Sequence, residues 1–144
     1  MNSFKFLIVL VYRRPMGKFF NELSDQLDIY LHQYASTIIM GDFNCNLNTQ
    51  NPQGDKLLSF LSAFSIRLIP TGCSYHTEGY DSWLYIIANN SLHLIKDFSR
   101  SAIPFANGHD LLNFEIQFLN NKTEQGNFNH LAEFIGTTSA FAWI

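Results

Sequence analysis

A chain of 144 residues has the length of one ordinary domain and can bury a sizeable core. Apolar residues make up 47% and charged residues 15%, so the composition is not that of a disordered tail. Net charge is −3 and no Lys/Arg cluster occurs beyond Arg13–Arg14, which argues against nucleic-acid binding that rests on charge alone.

The amino-terminal "FKFLIVLVY" has a short apolar core and runs into Tyr-Arg-Arg-Pro, without the small-residue cleavage site of a signal peptide. No apolar run is long enough to span a membrane, so no membrane partner is expected. Residues 4–12 instead suit a strand buried on both faces, which Pro15 and Gly17 then break. From Lys18 to Tyr34, Phe19, Phe20, Leu23, Leu27, Tyr30 and Leu31 recur at helical spacing, predicting an amphipathic helix. Thr37–Met40 is the next strand, ending at "GDFN" (residues 41–44). An Asn-rich loop follows, then a short helix with Leu57, Leu58, Leu61 and Phe64 on one face, and a strand at Ile66–Ile69 stopped by Pro70. "TGCSYHTEGYDS" reads as turns; Trp83–Ala88, Leu92–Phe98 and Leu111–Leu119 read as strands. In the last of these, Leu112, Phe114, Ile116 and Phe118 alternate with polar residues. Beyond Leu119 the composition turns polar, giving an expected domain of 1–119 and a trailing segment of 120–144. The order β-α-β-α-β followed by strands predicts an α/β (α+β) fold with helices packed on sheet.

The two cysteines, Cys45 and Cys73, have neither zinc-site spacing nor the density of a secreted scaffold. The expected location is intracellular, nuclear or cytoplasmic.

Asp42 and Asn44 sit two residues apart at a strand end, where an Asx turn and an active site are both open readings. His109, in "NGHD" before a strand, is open to a capping role as well as a chemical one. Tyr12 and Arg13 close the first strand; a Tyr there can be a sheet-edge aromatic or a phosphate contact.

Order and context carry a resemblance. Strand–"VYRRP", helix, strand–"IIMGDFN", helix, "SWLYII" and "GHDLLNFEI" together resemble the endonuclease/exonuclease/phosphatase superfamily, closest to the nuclease domain of LINE-type (non-LTR) retrotransposons. The resemblance covers about Phe4 to Leu119, and the tail closing on Trp143 is similar to the segment after that domain. It implies part of a four-layer α/β/β/α sandwich and a Mg²⁺-dependent hydrolysis of DNA phosphodiester bonds. Asp42 would activate water, Asn44 would bind phosphate, His109 would be the catalytic histidine, and Tyr12 and Arg13 would contact substrate.

The pattern is broken in three places. Tyr85 stands where the family carries the Asp that orients the histidine, so His109 is expected to lack its partner. Asn107 and Gly108 replace the family's Ser-Asp; Asp81 and Asp110 are nearby acids, and Asp110 is expected to face away from His109. The family's amino-terminal half, with an Asn and the metal-binding Glu, has no counterpart, so the chain is expected to be the carboxy-terminal half, with no metal ligand set of its own. Half a sandwich would leave an apolar sheet face open to self-association or to a missing segment. The resulting expectation is a divergent DNA endonuclease domain with weakened activity. The alternatives are a non-catalytic remnant or interaction module and, more weakly, a phosphatase or phosphodiesterase on lipid or inositol phosphates.

Overall fold

The computed structural model describes residues 5–15, 20–91, 95–103 and 107–116. Its centre is a four-stranded sheet in the order β1-β2-β6-β3, built from β1 (Phe6–Tyr12), β2 (Ser36–Asp42), β3 (Arg67–Leu68) and β6 (Tyr85–Asn89). Strands β1 and β2 run parallel, with Tyr12 opposite Asp42; β6 returns antiparallel, with Tyr85 opposite Asp42.

Two helices, α1 (Phe20–Tyr30) and α2 (Pro52–Ala63), cover one face of this sheet. Leu23 and Leu27 of α1 and Leu57, Phe60 and Leu61 of α2 pack with Val11, Ile39, Phe43, Ile86 and Ala88. Helix α2 starts where it does because the Asn51 side chain accepts from the amides of Gln53 (3.1 Å) and Gly54 (2.9 Å), with Pro52 supplying a helical φ just inside the cap. Phe60 stands 5.3 Å from both Phe20 and Phe64, centroid to centroid, so phenylalanine rings help fill the space where the two helices meet.

The opposite face carries a second core. Ile38, Met40, Ile69 and Ile87 meet Ile95, Leu112, Phe114 and Ile116 from the antiparallel pair β7 (Ile95–Ala102) and β8 (Asp110–Ile116). A small hairpin, β4 (Tyr75–Thr77) and β5 (Tyr80–Ser82), stands between β3 and β6 in sequence. Among the described residues this makes three layers: helices, main sheet and β7–β8.

The mixed α/β class is as expected, and several details differ. Among the described residues strand β1 lies at the edge of the sheet and is exposed on one face, with Ile8, Leu10 and Tyr12 at 44%, 42% and 51% exposure, not buried on both faces. An all-apolar run reads the same whether or not its second face is covered. The first helix ends at Tyr30 and passes into a 3-10 turn at Leu31–Gln33, while Lys18 and Phe19 lie outside the described residues. Leu58 points to solvent, its place on the packed face taken by Phe60. The segment read as turns holds β4–β5, whose two-residue Glu78–Gly79 link is a hairpin signal. Positions 92–94, the end of the last expected strand and the expected domain edge fall outside the described residues. Among those described, no helix is long and apolar enough to cross a membrane.

Candidate active site

Residues opposite one another in a sheet ladder share a face. Tyr12, Asp42 and Tyr85 are successive partners across β1, β2 and β6, so they form one row at the end of the face that also carries Met40 and Ile87. His109, just before β8, reaches this row: its Nδ1 lies 2.8 Å from the Tyr85 hydroxyl.

Local chemistry fixes each member. Phe43 is fully buried and its amide donates to the Leu84 carbonyl (3.2 Å), anchoring the chain directly after Asp42. Asn44 takes a left-handed conformation (φ 47°), and its amide donates to Asp42 Oδ1 at 2.9 Å. This is an Asx turn, and it sits within the row, so the turn and the site coincide. Burial pushes the Asp42 carboxyl above its ordinary range, opposed by the Asn44 hydrogen bonds and by nearby His109.

Two expected substrate contacts are engaged with the protein itself. The Arg13 side chain is buried, stacks 5.7 Å over the Phe20 ring and donates to the carbonyls of Phe43 (3.1 Å) and Asn44 (3.4 Å). Its role in this geometry is to clamp the 43–45 loop. Asn44 Nδ2 donates to the Arg13 carbonyl at 2.7 Å, because the chain leaves the extended conformation directly after Asp42. Tyr12, by contrast, is exposed and lies next to Asp42 in register.

The expectation that His109 lacks a partner is overturned. Tyr85 supplies one, its ring stacked against the imidazole (22° between planes, centroids 5.4 Å apart), and Tyr75 also lies against the ring at 4.6 Å. Burial, with smaller contributions from Asp42 and Tyr12, pushes Tyr85 up to about 12, so its phenol keeps its proton at neutral pH. Asp110 does take different partners from His109: His76 Nε2 at 2.9 Å and Arg100 Nε at 3.3 Å.

His76 is a site neighbour that the sequence pattern does not single out. Its Nδ1 meets Asp81 at 2.7 Å while Nε2 meets Asp110, so both ring nitrogens face carboxylates. Its amide also donates to the Gly108 carbonyl at 2.8 Å, and the Asp110 amide donates to the Ser74 carbonyl at 2.9 Å, which sews the 108–110 loop onto β4. The signal, a His and an Asp on facing strands of a hairpin, becomes visible only once that hairpin is recognised.

The bonds to Asp81 and then Asp110 hold His76 above its ordinary value of 6.5. Such a group adds stability that is complete below the unfolded pKa and disappears as pH rises through the folded one. The wild-type chain is therefore expected to melt higher than His76→Gln at about pH 6 and to lose that advantage as pH rises above the ordinary histidine range. A gap that stays constant with pH would show that the bridge carries no proton-linked stability.

Among the described residues no group of three or more His, Cys, Asp or Glu could hold a metal ion. Asp42 contributes one carboxylate with an oxygen already bound to Asn44, and Asp81 and Asp110 are tied to His76. Mg²⁺ requires near-octahedral oxygen ligation, commonly with several waters and one or two carboxylates. The described residues do not fit a Mg²⁺ held by this chain's own side chains. Cys45 is no substitute, since burial pushes its thiol up and keeps it unreactive.

An α/β sheet whose strand ends bring Asp42 and a hydrogen-bonded His109 together, in this motif order, defines a domain of the endonuclease/exonuclease/phosphatase superfamily, of the retrotransposon type. The chain belongs to the endonuclease-reverse transcriptase family, whose model matches residues 6–109. A solved structure, the endonuclease domain of TRAS1, a telomere-specific non-LTR retrotransposon, shares 18% identity and superposes with a TM-score of 0.63. That match covers 74% of this chain and 54% of the other, so the fold is shared and the chain spans about half the length of that structure. No curated protein matches the chain.

Proposed function

We propose that residues 1–119 form a retrotransposon-type endonuclease domain directed at DNA phosphodiester bonds, with hydrolysis weakened relative to a site with a full metal ligand set. The observation that supports it is the row Tyr12, Asp42 and Tyr85 with His109 joined to its end. Asp42, buried and raised in pKa, is suited to orient a water and take its proton as the oxygen attacks phosphorus. His109 is suited to donate to a phosphoryl oxygen, and exposed Tyr12 to contact a neighbouring phosphate. Asn44 would supply its remaining amide hydrogen, whereas Arg13 acts through the loop it clamps. No step is assigned to Mg²⁺, because the described residues lack a cage for it.

A second reading, a non-catalytic interaction module, is favoured by that same poverty of carboxylates and by the exposed apolar row on β1. Under either reading the exposed face of β1, which lies at the sheet edge among the described residues, supports association with another segment or a second copy of the chain.

Nicking of supercoiled plasmid by the wild-type chain and by Asp42→Asn separates the two. Asn keeps an oxygen for the Asn44 amide but removes the buried charge and the base. Activity is expected to fall about 10²–10⁴-fold, while stability rises by about 1 kcal/mol because an ionised buried group is relieved. A folded wild-type chain that leaves plasmid intact would favour the module.

A further inference from the structure

We propose that Tyr85 is a positioning residue for His109, donating its phenol proton to Nδ1 and so holding the imidazole as the Nε2–H tautomer. The catalytic meaning rests on the reading of His109 given above; the tautomer itself follows from hydrogen-bond chemistry. A half-buried phenol has one proton to place, and Nδ1 at 2.8 Å is the acceptor in reach. The phenol is protonated at neutral pH and cannot be replaced in this role by a phenolate.

The rest of Tyr85 is held in place. Its amide donates to Ser74 Oγ at 2.9 Å, which also receives the Leu84 amide at 3.2 Å. Its carbonyl accepts from Trp83 Nε1 at 3.0 Å. With the backbone held on both sides and the two rings stacked, the hydroxyl has little freedom to point elsewhere.

A carboxylate at this position can only accept, which would require a proton on Nδ1 and leave a lone pair on Nε2. The phenol reverses that arrangement. His109 then presents an N–H while neutral, suited to a phosphoryl oxygen and unsuited to act as a base. Asp42 and Tyr85 are direct register partners, so a carboxylate at 85 would also set a second acid beside a buried one. Like charges in such a place disfavour ionisation of both. The neutral phenol leaves the charge on Asp42 and divides the roles. Asp42 accepts a proton, and His109 donates a hydrogen bond.

The test is a long-range ¹H–¹⁵N spectrum of the imidazole nitrogens, with the His109 signals assigned by their loss in His109→Gln. In the wild-type chain near neutral pH the expected pattern is a protonated Nε2 and an unprotonated, hydrogen-bonded Nδ1. In Tyr85→Phe, which keeps the ring and its stacking, the Nδ1 signal should move toward the average of two exchanging tautomers. Plasmid nicking should fall about tenfold alongside it. A wild-type spectrum with the proton on Nδ1, or a His109 signal unmoved in folded Tyr85→Phe, overturns the proposal. If the wild-type chain does not nick DNA, the functional reading fails, while the nitrogen spectra still decide the tautomer.

Discussion

Gly108→Asp, the change that writes the family's acid back beside His109, is expected to destroy the His109 loop instead of restoring a carboxylate to it. Gly108 has φ +87°, a conformation that L side chains rarely adopt, and a Cβ there would fall 1.9 Å from the His76 carbonyl oxygen. That oxygen belongs to backbone, whose neighbouring amide donates to the Gly108 carbonyl, so the two segments cannot part without losing the hydrogen bond that docks them. His109 would then be drawn away from Tyr85, and Asp110 from His76. Backbone incompatibility and overpacking together are expected to cost about 2–5 kcal/mol, a large share of a small domain's stability of about 5–15 kcal/mol. Urea unfolding of the two chains measures it directly. A variant as stable as the wild type, with faster nicking, would show that this loop still accepts the family's acid.

The same loop explains what can and cannot be read from the sequence. Motif order is enough to place Tyr12 and Asp42 at the ends of β1 and β2 and His109 just before β8, because each stands at the end of a strand whose apolar pattern is plain. Hydrogen-bond partners are not legible in that way. Tyr85 reads as the loss of a carboxylate, since sequence identifies a side chain and not the atom it reaches. Arg13 looks like a substrate contact, yet its guanidinium donates to carbonyls of residues 30 and 31 positions away in the turn after β2. The expected place of Asn44 assumes an extended chain, and one left-handed residue redirects its amide. His76 joins an acid 5 residues away to another 34 away, a pairing that exists only when β4, β5 and β8 have assembled.

Gly41→Ala is expected to be the most damaging single-methyl change in the "GDFN" motif, and its cause lies outside the chemistry. Gly41 sits within β2 directly opposite Val11 in the parallel ladder. At φ +139°, a Cβ would lie 1.9 Å from the Val11 carbonyl oxygen and 2.8 and 2.9 Å from its carbonyl carbon and amide nitrogen. Those atoms are the backbone of β1, so relief requires the strands to separate at the point where Tyr12 faces Asp42. The Arg13 amide, which donates to the Asp42 carbonyl at 2.8 Å, would be pulled off with them, and the clamp on the 43–45 loop would follow. A loss of about 2–5 kcal/mol is expected in urea unfolding, with nicking lost even in whatever fraction stays folded. If Gly41→Ala unfolds as the wild type does while nicking alone disappears, the glycine serves the site and not the ladder. The expected result, loss of both together, would mean that the motif begins with glycine because the site is built where two backbones come too close for any side chain.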